Sequence, residues 1–321
     1  MGAYRPWRNM RSAGGWLMIL LATAANADPL TIRQIQSNTS DGDLSIFDGA
    51  IVDCAGGVCI AKSDRFLPRL ILVDPNSSDG WGGVQVRDWT FGDLYDHVQI
   101  GDWVTLSNVA VEEVARTTIL QYKPENGAAF AVTSQHNPLP PAVTLTPADI
   151  PAPIYDPDTD GWYVPNHDAE PYESMRLIVH DVTVTEMDLG KAVDNYNIRD
   201  QAGHDAWAAD YMNADIDPSG YHPFVSVGQG FCGLRGVLEQ YTNLADGWDY
   251  YQIVTFSSAD LAICGDADHD GDVDLSDLSL LLAHYGTPSG ATFEDGDFDD
   301  DGDVDLSDLA ILLSAYGESV P

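Results

Sequence analysis

The sequence predicts a mainly β chain, built as two β-barrel domains and closed by a small all-α module. Three observations carry that expectation. Between residues 28 and 263 no long stretch has helical periodicity, and short runs rich in Val, Ile, Thr and Tyr alternate with Gly, Asp and Asn clusters. A proline-rich stretch splits these runs into two series. The end of the chain carries a 21-residue unit written twice, each copy finishing in an i, i+3, i+4, i+7 apolar pattern.

At the start, Arg5, Arg8 and Arg11 precede an apolar run over 16–22 and then Ala25-Asn26-Ala27, the small-x-small pattern of a signal-peptidase site. Residues 1–27 therefore read as a secretory signal cleaved before Asp28, and the mature chain is expected to be secreted or attached at the cell surface. The apolar run is well short of the ~20 residues a spanning helix needs, so no membrane span is expected. With 51 acidic against 14 basic residues the net charge is −37. A field of that sign repels polyanions, which argues against nucleic acid and anionic membranes as partners.

The first series of strand-like runs covers 45–52, 69–73, 83–86, 103–111, 117–122 and 129–133, and the second covers 175–184, 194–199, 233–239 and 250–256. Both follow one plan, a long strand, a hairpin and a closing pair, which suits a five-strand barrel. They define domains at 28–136 and 172–262. Between them, nine prolines fall within 137–171, which predicts a semi-extended connector.

Four cysteines in an exported chain imply two disulfides. Cys54 and Cys59 flank Ala-Gly-Gly-Val, which reads as a hairpin tip closed by a local bridge. Cys232 and Cys264 would then pair, tying the second domain to the root of the C-terminal module, although four cysteines allow three connectivities.

Two short motifs bear on the barrels: Gly101-Asp102-Trp103-Val104, and Tyr172-Glu173-Ser174-Met175 leading into 176–184. Through them residues 30–262 resemble the tandem OB-fold segments found beside secreted nucleases. The resemblance implies OB-like barrels. No nuclease domain accompanies them, so no catalytic activity carries over.

The repeated unit, 266–286 and again 297–317, is identical at 15 of 21 positions. An all-oxygen cage for a hard cation takes ligands at loop positions 1, 3, 5, 7, 9 and 12 and a Gly at 6. Asp266, Asp268, Asp270, Asp272 (through its carbonyl), Asp274 and Asp277 fill those places around Gly271. Asp297, Asp299, Asp301, Asp303, Asp305 and Asp308 repeat them around Gly302. Two Ca²⁺ ions are therefore expected. A disordered acidic tail would have no use for the glycine at 6 or for Val273 and Val304 at 8. After each loop, Leu278, Leu281, Leu282 and Tyr285, then Leu309, Leu312, Leu313 and Tyr316, share one helical face that is expected to pack inward.

On these residues the segment 263–321 resembles the dockerin family, duplicated loop-plus-helix modules that plug secreted proteins into a cohesin partner. The resemblance implies Ca²⁺ binding and a cohesin-like protein or cell-surface assembly as partner. It also implies that the pairs just before the last ligand, here Leu275-Ser276 and Leu306-Ser307, recognise that partner. Family members often carry a Ser-Thr type pair there and basic residues beyond it, whereas 264–321 contains no Lys or Arg.

Catalytic motifs are absent from the body: there is no Gly-x-Ser-x-Gly, no phosphate-binding loop with Lys and no His-Glu-x-x-His. Glu112/Glu113 and Glu170/Glu173 are the obvious carboxylate pairs for acid–base work on a sugar, but neighbours on a strand face opposite ways. Trp103 reads as barrel core, and Trp81, Trp162 and Trp248, each beside a Gly in a polar turn, are the better candidates for exposed stacking, although loop tryptophans more often fold back on their own domain. The leading expectation is a non-catalytic secreted protein that displays two OB-like domains through a calcium-dependent dockerin. A carbohydrate-active enzyme or accessory protein in polysaccharide degradation is the alternative, followed by a single-strand nucleic-acid binder.

Overall fold

The computed structural model describes residues 28–37, 44–65, 67–77, 79–187, 189, 195–213, 225–243, 247–268, 270–299 and 301–317. The secretory segment expected at 1–27 lies outside them. Among the described residues the chain is mainly β, with closed five-strand barrels.

In the first barrel the strands are β1 (Ile51–Ser63), β2 (Arg69–Val73), β3 (Gly83–Asp88), β4 (Trp103–Val114) and β5 (Thr117–Tyr122), with β6 (Ala129–Ser134) added beside β4. The order β1-β2-β3-β5-β4 closes through β1–β4 pairing, and β3–β5 is its parallel pair. Short helices α1 (Ile32–Gln36) and α2 (Asp93–His97) contribute Ile32, Ile35 and Leu94, all fully buried in the core. Thr31 and Gln34 form a capping box that fixes α1. The Asp88 carboxylate accepts the Leu94 and Tyr95 amides and fixes α2.

The second sheet contains β7 (Val143–Thr144), β8 (Ile154–Asp156), β9 (Gly161–Tyr163), β10 (Arg176–Met187), β11 (Asn195–Arg199), β12 (Asp205–Ala209), β13 (Gly230–Asn243), β14 (Trp248–Val254) and β15 (Leu261–Ala262). Its barrel repeats the first, in the order β10-β11-β12-β14-β13 closed by β10–β13, with β12–β14 parallel. Strand β12 is not among the expected runs, because Asp-Ala-Trp-Ala-Ala is poor in β-branched residues. Pairing on both sides, to β11 and β14, makes it a strand. The stretch expected to be a connector instead contributes β7, β8 and β9 to this sheet and buries Leu145, Ile150, Val164 and Ala169 in its core. Its prolines lie outside these short strands, where no ladder amide is lost.

The largest correction concerns β1. Ala55-Gly56-Gly57-Val58 is no hairpin tip but the middle of one 13-residue strand. That strand pairs with β4 over Ile51–Val58 and with β2 over Val58–Ser63, its register slipping at Cys54/Gly57. Gly56 has φ +89°, and a Cβ there would lie 1.9 Å from the Val104 carbonyl oxygen. The glycines thus let one strand coil across two neighbours and shut the barrel.

Cys54 and Cys59, five residues apart on that strand, are held on the order of 15 Å apart, far beyond the reach of a disulfide. Both are free and buried. Burial pushes the Cys54 thiol up to about 11 and the Cys59 thiol up to about 12. Cys232 and Cys264 do form the bridge, beside the β13–β15 pair. Thiol labelling should therefore find no reactive cysteine in the native protein and two after denaturation without reductant. Zero would restore the second bridge, and four would remove the first.

Candidate metal centre at the C-terminal repeat

Each repeat folds as a loop and a helix, α3 (Leu275–His284) and α4 (Leu306–Ala315). Asp274 and Asp305 are their N-caps and accept the Ser276 and Ser307 amides, each at 2.6 Å. Three residues on, Asp277 and Asp308 reach back to the cap amides at 2.7 and 2.8 Å, completing capping boxes. The same Asp-x-x-Asp pattern thereby starts each helix and turns its last acid into the loop. Asp277 also accepts the Ala267 and Asp268 amides, and Asp308 those of Phe298 and Asp299. Both are fully buried. Asp266 accepts the amides of Asp270 and Gly271, and Asp297 those of Asp301 and Gly302. The amides that these four acids accept match position for position in the two loops.

These bonds bring carboxylate oxygens of Asp266, Asp268 and Asp277 within 4.8 Å of one another, and likewise those of Asp297, Asp299 and Asp308. A further group in the second loop joins Asp303 and Asp305 to Asp308. Of the other expected ligands, Asp270 and Asp301 each accept, through Oδ1, the amide two residues on, from Asp272 and Asp303, and Asp274 caps its helix. A donor set of carboxylate oxygens without sulfur or nitrogen suits a hard cation such as Ca²⁺.

Crowding leaves a mark on the charges. Lost solvation, then the neighbouring Asp277, raises the Asp268 pKa, and lost solvation with Asp308 does the same to Asp299. Without a cation these groups stabilise the loops fully below the ordinary Asp pKa, and that contribution is lost as pH rises through the raised folded value. A bound divalent cation reverses the preference, because it takes the ionised form.

The helices pack through Leu281 and Leu312, fully buried with Val273 and Val304, beside an edge-on Phe293–Phe298 pair at 5.1 Å. The repeats are cross-pinned: the Gly317 amide donates to the Val273 carbonyl and the Gly286 amide to the Val304 carbonyl, each at 2.8 Å. Only part of the expected apolar face is inside. Leu282, Tyr285, Leu313 and Tyr316 are exposed, because one ten-residue helix covers only a narrow stripe of its partner. Leu275 (64 % exposed) and Leu306 (66 %) stand out beside the exposed Ser276 and Ser307. Cys264 roots the unit on the second barrel two residues before Asp266, and the two share one core.

The other candidates lie in the barrels and between them. Glu112 is exposed while Glu113 turns to Thr118, as opposite faces of a strand require. Glu170 and Glu173 are buried between the barrels. Trp248 is buried, and Trp162 is half-buried and leans on Trp207 at 4.9 Å. Trp81 is half-buried and donates its amide to Pro171, and Trp103 is only half-buried at the barrel wall. Among the described residues no helix is long and apolar enough to cross a membrane. No family model matches this chain, and no curated protein matches it.

Proposed function

We propose that residues 263–321 form a dockerin-like module that binds two Ca²⁺ and attaches two OB-like barrels to a cohesin-type partner outside the cell. The observation that supports this most is the duplication of a carboxylate cluster: three acids at equivalent positions converge in each loop, two of them accepting the same amides. Asp266, Asp268 and Asp277 would hold one ion, with the Asp272 carbonyl as a further donor. Asp297, Asp299 and Asp308 would hold the other, with the Asp303 carbonyl as a further donor and Asp305 beside Asp308. When bound, Ca²⁺ neutralises carboxylates that otherwise repel one another across each loop, so binding and folding of the module are coupled.

Attachment rather than catalysis suits the exposed residues of the module. Leu275, Ser276, Leu306 and Ser307 occupy equivalent places where each loop hands over to its helix, so two orientations related by a half-turn present similar contacts. Each leucine is worth about 1.5–3 kcal/mol if it is buried at the interface. Leu275→Asp alone should weaken capture of the partner little, because the second face remains, while Leu275→Asp with Leu306→Asp should lose most of it. Pull-down from the native secretome with Ca²⁺, beside circular dichroism, is the measurement. A folded double variant that captures the same partner undiminished would falsify the assignment.

A further inference from the structure

The two barrels meet over an apolar patch of Ile60, Ala61, Ile71 and Val73 from the first against Val237 and Phe256 from the second. Beside it the β4–β5 turn of the first barrel reaches across. Arg116 donates to Asp249 at 3.1 Å and the Thr117 hydroxyl to the Gln240 carbonyl at 2.8 Å. From the other side, residues 170–175 press into the first barrel, and a Cβ on Gly83 would lie 2.1 Å from the Ser174 carbonyl oxygen. Two carboxyls are enclosed in this contact. Glu170 accepts the Tyr251 hydroxyl at 2.6 Å, and Glu173 leaves its Oε1 without a hydrogen-bond partner.

We propose that this interface is a proton-operated latch: while the Glu170–Glu173 pair carries protons the barrels stay docked, and raising the pH above neutrality drives them apart. The groups facing the pair are mostly acids. Glu113 comes from β4, Glu239 from β13, and Asp249 and Tyr251 from β14, while Arg116 is the facing cation and is held by Asp249. His167 bridges Tyr251 and Asp249, and Arg87 lies toward Glu239. Ionising both glutamates there adds two charges to an enclosed acidic cluster whose nearest cation, Arg116, is already held by Asp249, while Arg87 and Arg69 lie toward Glu239 and Tyr211.

Burial, then Glu113, pushes the Glu170 carboxyl up to about 7 despite its bond from Tyr251. Burial, then Glu170 and Glu113, holds Glu173 well above the ordinary carboxylate range. Docking is therefore fully stabilised below the ordinary Glu pKa and is lost as pH rises through these raised values. The latch sits apart from the Asp loops and does not depend on calcium.

The test uses the full, disulfide-intact chain at fixed Ca²⁺, scanned from about pH 5.5 to about pH 9 by small-angle scattering and by amide exchange corrected for its intrinsic pH dependence. Above neutrality the radius of gyration should rise, and amides at 114–118 and 170–175 should exchange about tenfold faster or more. Glu170→Gln with Glu173→Gln, neutral at every pH, should hold the interface closed across the scan, while Glu112→Gln on the exposed face of β4 should respond as wild type. If that double variant does not fold, each single variant should open to a smaller extent than wild type at the same pH. A wild-type interface equally protected at both ends of the scan overturns the proposal. So does a folded glutamine variant that opens as far as wild type at the same pH.

Discussion

In a calcium titration of the full chain, Asp277→Ala should delete one of two binding events and Asp308→Ala the other, and the double variant should bind neither ion. The expectation is large because each residue acts twice. In the proposed cage it is the last carboxylate ligand. In the fold it is a fully buried acceptor for three amides, those of Ala267, Asp268 and Asp274 around Asp277. Bonds to a charged acceptor contribute roughly 1.5–3 kcal/mol each, and alanine orphans all three donors. The first repeat should therefore lose helix signal even without calcium. Asp268→Ala separates the roles, since Asp268 is exposed and accepts only the Asp270 amide among the bonds seen here. It should weaken the first site about tenfold or more while helix content in chelator stays that of wild type. Full affinity in Asp268→Ala would remove it from the cage, and two undiminished binding events in Asp277→Ala with Asp308→Ala would end the calcium reading.

Much of this architecture could be read from side-chain patterns, and the failures share a cause. The expected and observed bounds of Thr117–Tyr122 and Arg69–Val73 coincide, because runs of β-branched and apolar residues flanked by turn residues admit one interpretation. The acidic loops are legible because the bonds to their carboxylates are local, each spanning ten residues or fewer. Long-range effects were not legible. Strand β12 exists because its neighbours pair with it. The proline-rich stretch joins the second sheet because buried Leu145, Ile150 and Val164 outweigh its local preference for open structure. Glu170 and Glu173 could be singled out as a pair, yet nothing near them in sequence says that a second barrel closes over them. Leu282 and Leu313 belong to the apolar period of their helices, but which half of that period is covered depends on the partner helix.

The same ambiguity in glycine sets the last expectation: Gly56→Ala should destabilise the first barrel by about 3 kcal/mol or more, a penalty few single methyl groups impose. Glycine between strand-like runs signals either a turn or a close approach of backbones, and here it is the second. The added Cβ would meet the Val104 carbonyl oxygen at 1.9 Å and the Thr105 Cα at 3.0 Å, and φ at +89° disfavours any side chain. Relief requires β1 to move off β4, and β1–β4 pairing is what closes the barrel. Gly127→Ala is the matched control, since Gly127 has φ +90° with nothing within 4 Å of its would-be Cβ. It carries the conformational cost alone, about 1 kcal/mol. In thermal denaturation with the disulfide intact, Gly56→Ala should lower the transition of the first barrel on the order of 10 °C and Gly127→Ala by only a few degrees. It should also expose the neighbouring Cys54 and Cys59 to thiol reagent under native conditions, because both depend on the wall that β1 and β4 form. Equal shifts in the two variants, with both thiols still protected, would mean that β1 closes the barrel without the close approach at Gly56.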